Sequence, residues 1–206
     1  MVSIKVYVEG GGNDRKDLKT KCRRGFNEFF RKAGLEDSMP RIVASGGRQS
    51  AYDDFCTAMR NGKGYDFIVL LVDSEDPVTK GSAAWAHLKQ RDGWNQPAGA
   101  TDDNAHLMVQ CMEAWFVADR TVLEDFFGQH FKPNALPKRQ DVENILKTDL
   151  YAALEKATKS QKITKGEYGK GKHSFDILSH LDPDKVKAAS PYADRLIRVL
   201  LDKAGV

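Results

Sequence analysis

Two short runs of this sequence combine the residue types that do chemistry. Val8-Glu9-Gly10-Gly11-Gly12 sets one carboxylate beside three glycines, and Asp73-Ser74-Glu75-Asp76 places three carboxylates in four positions. Carboxylates a few ångströms apart repel strongly at intermediate dielectric, so such a cluster needs a cation or a proton to persist. Carboxylate oxygens completed by water suit Mg2+ or Mn2+, ions commonly held by one or two carboxylates while a phosphate supplies further oxygens. Gly10, Gly11 and Gly12 suit that phosphate, because glycine lets the backbone approach closely and amides opening a helix meet an anion well. Each run also has a plainer explanation, since glycine-rich turns and solvated acidic loops are both common. Their expected placement together is what favours chemistry.

The elements that bring the runs together can be read from patterning. Residues 3–8 form a β-branched, aromatic strand. Leu18, Cys22, Phe26, Phe29, Phe30 and Ala33 then step by three and four along a helix that Asn13 and Asp14 are placed to cap and Gly34 to stop. Residues 41–44 read as a second strand, 45–47 as a turn, and the span around Ala51, Phe55, Ala58 and Met59 as a helix ending near Gly62. Residues 65–72 lack any alternation of polarity, the pattern of a central parallel strand covered on both faces. A helix around 83–88, a polar loop over 93–104 and a short strand at 106–109 complete a β-α alternation. Helical patterning then continues through 113–119 and 122–127, and over 138–147, 149–158, 175–181 and 191–203.

The expected fold class is α/β: a four-stranded parallel sheet flanked by helices over residues 1–119, followed by a helical extension over 120–206. In an open parallel sheet, ligands bind outside the carboxyl ends of the strands. Glu9 ends the first strand and the acidic run ends the third, so as neighbours they share one rim.

Those two runs, together with Met112-Glu113-Ala114-Trp115-Phe116-Val117-Ala118-Asp119, resemble the Toprim domain of topoisomerases, primases and overcoming-lysogenization-defect nucleases. They are closer still to a bacterial Toprim-like family often encoded beside ATPases and defence systems. The resemblance implies a Toprim-like sheet and Mg2+-dependent cleavage of phosphodiester bonds in DNA or RNA. It implies Glu9 as general acid or base, with Asp73 and Glu75 holding Mg2+ (or Mn2+). Glu75 is one methylene longer than the Asp of the usual pattern, and Asp76 is the alternative second ligand. Glu113 is a candidate further metal ligand, or else a helix-start acid favoured by the dipole, with Trp115 as a core anchor and Asp119 as cap of the next helix. The alternative function is non-catalytic: a regulatory or adaptor partner of an ATPase encoded nearby, using the acidic rim for docking or metal sensing.

In a chain of 206 residues, 32 basic against 29 acidic side chains leave a net charge of +3, too near balance to announce nucleic-acid binding by itself. Distribution is more telling. Between 156 and 172 lie six lysines against the single acid Glu167. Lysines that neutralise phosphates give affinity without reading sequence, so Lys165, Lys170, Lys172 and the adjoining His173 are candidates to grip nucleic acid, with Tyr168 as a stacking platform. A solvated charged face is the simpler reading of that stretch. Cys22, Cys56 and Cys111 offer neither a metal knuckle nor an even disulfide set, which points to a reducing compartment. The longest apolar run, 67–72, is six residues, against the roughly twenty a membrane-spanning helix needs. No leader is apparent, and a cytoplasmic location with no membrane partner is the expectation.

Overall fold

The computed structural model describes residues 2–12, 14–62 and 64–206. A four-stranded, all-parallel sheet in the order β2-β1-β3-β4 is built from β1 (Ile4–Glu9), β2 (Arg41–Gly46), β3 (Phe67–Asp73) and β4 (Ala105–Met108). The strands alternate with α1 (Lys16–Phe30), α2 (Arg48–Asn61) and α3 (Ala84–Asp92). β3 lacks a polar face because both its faces are covered. Val69 and Leu71 join Ile4, Val6 and Val8 of β1 against Phe26 and Phe29 of α1, whereas Ile68, Leu70 and Val72 join Tyr7 against Phe55 of α2 and Trp85 and Leu88 of α3.

Six helices follow: α4 (Ala114–Ala118), α5 (Arg120–Phe127), α6 (Lys147–Thr158), α7 (Lys170–Leu178), α8 (Pro183–Ala189) and α9 (Pro191–Ala204). They are not packed as a separate body. Leu154, Ile177, Val186 and Leu200 share one core with α1 and the inner residues of β1 and β3. Trp115 anchors that shared core, stacked on Phe29 with ring centroids 5.3 Å apart. The boundary expected near residue 119 therefore does not divide two cores. No helix among the described residues is long and apolar enough to cross a membrane.

Several elements differ from the pattern expected. Asp14 does not cap α1; Arg15 sits at the cap position without a side-chain capping bond, and Asn13 lies outside the described residues. β2 runs on through the expected turn because Gly46 and Gly10 exchange backbone hydrogen bonds of 2.8 and 3.0 Å. The helix expected over 138–147 is absent, since Asp141, Ile145 and Leu146 have extended backbones around one tight turn at Val142–Asn144. α7 starts at Lys170, five residues ahead of the expected Phe175, and converts part of the lysine-rich loop into helix. α8 is unanticipated, although Asp182-Pro183 is a recognisable start: the Asp182 carboxylate accepts the Asp184 amide and Pro183 takes the first helical position.

Candidate metal centre

β1 and β3 are parallel, hydrogen-bonded neighbours with Val8 opposite Leu71, so Glu9 and Asp73 emerge at the same edge of the sheet. One carboxylate oxygen from each of Glu9, Asp73 and Glu75 lies within 4.8 Å of the other two. Glu75 arrives by an uncommon backbone path. Its φ of 66° is left-handed, which costs a non-glycine residue about 1–3 kcal/mol, and its amide is pinned on the Gln110 carbonyl at 2.8 Å. The next side chain goes elsewhere: Asp76 is 64% exposed and pairs with Arg91 at 2.9 Å. Of the two expected alternatives, Glu75 is therefore in the cluster and Asp76 is not.

The cluster is held by hydrogen bonds and cations from distant elements. Asp73, only 4% exposed, accepts the Met112 amide at 2.9 Å on one oxygen and faces Lys170 Nζ at 3.6 Å with the other. Glu9 Oε2 accepts from the Asp73 amide at 3.2 Å and from Arg48 Nη1 at 3.3 Å. Arg48 also reaches the Asp73 carbonyl and grips Asp92 through two nitrogens, at 3.0 and 2.6 Å. Lys147 Nζ sits 2.6 Å from Glu75 Oε2. Burial pushes the Asp73 carboxyl up to about 7, with Glu113 and Glu9 adding to the rise and Lys170 opposing it. Burial likewise raises Glu9, partly offset by Arg48. Carboxyls that resist ionisation until more positive charge arrives, grouped as hard oxygen donors, form a set that can bind a metal ion.

The glycines shape the space in front. Gly10, Gly11 and Gly12 have φ of 145, 87 and 62°. A Cβ on Gly10 would lie 3.1 Å from the Phe175 ring, and one on Gly11 would lie 2.9 Å from Lys19 Cα. The Gly10 amide is spent on Gly46, so it is not an anion donor as expected. The amides of Gly11 and Gly12 have no hydrogen-bond partner among the described residues. These glycines, Asp73 and the first residues of α7, Lys170 and Gly171, line a cleft of about 220 Å³. The start of α7 adds the Lys170 and Gly171 amides, which have no partner among the described residues, and the positive end of a helix dipole there.

Glu113 corrects another expectation. It is 0% exposed and its oxygens are filled by hydroxyls: Tyr168 at 3.2 Å and Ser174 at 3.0 Å on Oε1, Tyr151 at 2.9 Å on Oε2. Burial and Glu113 together push both phenols up, keeping them as donors. Glu113 does not join the metal cluster. Asp119 holds the N-cap position of α5 as expected but makes no side-chain capping bond, since its oxygens accept the Asp182 amide at 3.0 Å and Lys185 Nζ at 2.6 Å.

The lysine-rich stretch is mostly turned on itself. Tyr168 is buried and its hydroxyl is engaged with Ser174 and Glu113, so it is no stacking platform. His173 is buried too: Nδ1 accepts the Gly169 amide and Nε2 lies 3.1 Å from the Lys165 carbonyl, which leaves neither nitrogen for nucleic acid. Lys172 donates to that carbonyl at 2.6 Å, and Lys165 lies over the Phe126 ring at 4.2 Å. Lys170 alone of these candidates lines the cleft. Arg48 and Lys147 were not singled out from sequence. Arg48 carried a usable signal, opening a helix directly after a strand that ends beside Glu9; Lys147 carried none.

A family model described as a domain of unknown function, DUF4276, matches residues 8–201. The chain belongs to this family. Searches of curated proteins and of solved structures return no match. The DUF4276 match takes in Glu9, Asp73 and Glu75 together with Arg48, Lys147 and Lys170, so the acids and the cations that compensate them lie within one family domain.

Proposed function

We propose that this chain is a Mg2+-dependent nuclease that hydrolyses phosphodiester bonds of nucleic acid, with the acidic rim as its centre. One observation carries the reading: Glu9, Asp73 and Glu75 converge to within 4.8 Å at the carboxyl edge of a parallel sheet, in front of a glycine-lined cleft. The Toprim resemblance of the motifs that supply these acids supports it. Glu9, Asp73 and Glu75 would hold the ion, which when bound supplies positive charge to a phosphoryl group and lowers the pKa of water.

The remaining roles belong to the chain. Glu9 is oriented through Oε2 by Arg48 and the Asp73 amide, which leaves Oε1 without a partner among the described residues. With its raised pKa, that carboxyl is suited to take a proton from the attacking water or return one to the leaving oxygen. The free amides of Gly11 and Gly12 and the Lys170 ammonium meet the non-bridging phosphate oxygens. Lys170 is free enough to do so, since its side chain is 55% exposed and lies 3.6 and 4.0 Å from Asp73 and Glu113.

The test is cleavage of duplex DNA, single-stranded DNA and tRNA by the purified chain with EDTA, Mg2+ or Mn2+. Metal-dependent cleavage, lost in Glu9→Gln and in Asp73→Asn, is the expected result. No cleavage of any substrate, or cleavage indifferent to both changes, refutes the proposal.

A further inference from the structure

A second cleft opens at the far end of α4. It has a volume of about 680 Å³, and its lining includes Arg120, Lys138, Arg139 and Lys185, with Asp119 as the acid among them. Asp119 is buried and already neutralised by Lys185 at 2.6 Å, which leaves three cations in excess. Arg120, Lys138 and Arg139 have no carboxylate within ion-pair distance among the described residues, whereas seven of the ten other arginines do, Arg23, Arg41 and Arg60 being the exceptions. The two guanidinium groups are nevertheless positioned. Arg120 donates to the Pro137 carbonyl and Arg139 Nη1 to the Asn144 carbonyl at 2.9 Å. A guanidinium carries five N–H donors, so most remain for a ligand.

The lining contains no aromatic side chain. A cleft of fixed cations without a stacking surface suits phosphates and not bases. Its position adds the second argument. Glu113, 4.0 Å from the Lys170 ammonium that also faces Asp73, immediately precedes α4 and Asp119 immediately follows it, the two being about 9 Å apart at the helical rise of 1.5 Å per residue. We propose that this cleft binds the phosphodiester backbone of the nucleic-acid strand flanking the bond held at the acidic rim. The word "flanking" rests on the nuclease reading; the binding of a polyanionic backbone does not.

The experiment is fluorescence anisotropy of labelled duplex DNA, single-stranded DNA and tRNA with the full chain in EDTA, at several salt concentrations. Comparison is with Lys138→Ala/Arg139→Ala, both exposed positions, whose folding is checked by thermal melting. The double variant is expected to bind about tenfold more weakly at low salt, with a salt slope reduced by about two. Equal affinity and slope for the double variant, or no nucleic-acid binding by the unchanged chain, overturns the inference. So does stabilisation by inorganic phosphate that depends on Arg139 while polymers do not bind. Arg139-dependent binding without cleavage leaves this inference standing and refutes only the nuclease reading; cleavage with binding indifferent to the double variant does the reverse.

Discussion

The rim carboxylates and the single Glu113 meet at Lys170, which faces both, and are compensated in opposite ways. Glu113 is saturated by the neutral hydroxyls of Tyr151, Tyr168 and Ser174. Glu9, Asp73 and Glu75 are balanced chiefly by the cations Arg48, Lys170 and Lys147. The difference lies in what can leave. A buried hydroxyl that gives up its acceptor is left unsatisfied, so the donors around Glu113 are fixed by their own desolvation. A lysine tip can turn to water or to a phosphate at little cost, so Lys170 and Lys147 are exchangeable partners of the triad, while Arg48 is held in place by Asp92. Burial alone does not separate the two sets, since Asp73 is nearly as enclosed as Glu113. Glu113 thus works as a tie between α4, α6 and α7, and the triad as a place where one positive charge can replace another.

The strongest way to break that contrast is Glu113→Ala. It removes the one acceptor of the Tyr151 hydroxyl and a charged acceptor from Tyr168 and Ser174, which keep each other, and urea unfolding is expected to show a loss of about 3–5 kcal/mol for three hydrogen bonds to a buried carboxylate. Glu113→Gln keeps one acceptor oxygen and costs less. A Glu113→Gln protein of unchanged stability that no longer binds Mn2+ contradicts the assignment of Glu113 as a tie.

Asp73→Asn should act in the opposite sense. The folded Asp73 carboxyl is pushed up to about 7 from an ordinary 3.8. Between those values the folded state keeps a proton that the unfolded chain has lost. The stability of the metal-free protein therefore falls as pH rises from about 4 to about 7 and then levels. Asn cannot ionise but still accepts the Met112 amide, so the variant in EDTA is expected to lose this slope and to melt higher at pH 8. Mn2+ at a hundredfold excess over its Kd should return about 2.7 kcal/mol to the unchanged chain and nothing to the variant. Parallel pH profiles for the two proteins in EDTA refute this account.

Lys147→Met sharpens the comparison from the cation side. Lys147 competes for Glu75, so its removal is expected to tighten Mn2+ binding about tenfold by calorimetry, equivalent to about 1.4 kcal/mol. Weaker binding would mean that Lys147 supports the site and does not compete for it.

How much of this was legible in sequence depended on distance along the chain. β1 and β3 declared themselves because burial patterning is local, and Glu9 and Asp73 followed because they end strands of a parallel sheet. Glu113 was misread because its partners Tyr151, Tyr168 and Ser174 stand 38, 55 and 61 residues away. The lysine-rich stretch was misread for a related reason. Its composition is that of a wet loop, but Tyr168 and His173 are buried under tertiary contacts that composition does not encode. The segment 138–147 failed as a helix for a nearer cause, the Asp141 side chain accepting the Glu143 amide and closing a short turn instead.

The choice between Glu75 and Asp76 was set by backbone geometry, and it gives the smallest and most discriminating test. Only the left-handed φ of Glu75 brings its carboxylate into the triad and sends Asp76 out to Arg91. Asp76→Asn removes an exposed ion pair and should change stability by no more than about 0.5 kcal/mol, with Mn2+ affinity and cleavage unaltered. Glu75→Gln should weaken both, while relieving the like-charge repulsion by which Glu75 helps to raise the Glu9 carboxyl. A Glu75→Gly control separates backbone from side chain: it relaxes the strained φ, so a gain in stability accompanied by lost Mn2+ affinity is the signature of strain held at a ligand position. The reverse ranking, with Asp76→Asn abolishing metal binding and Glu75→Gln silent, would mean that the turn after β3 rearranges when the ion enters.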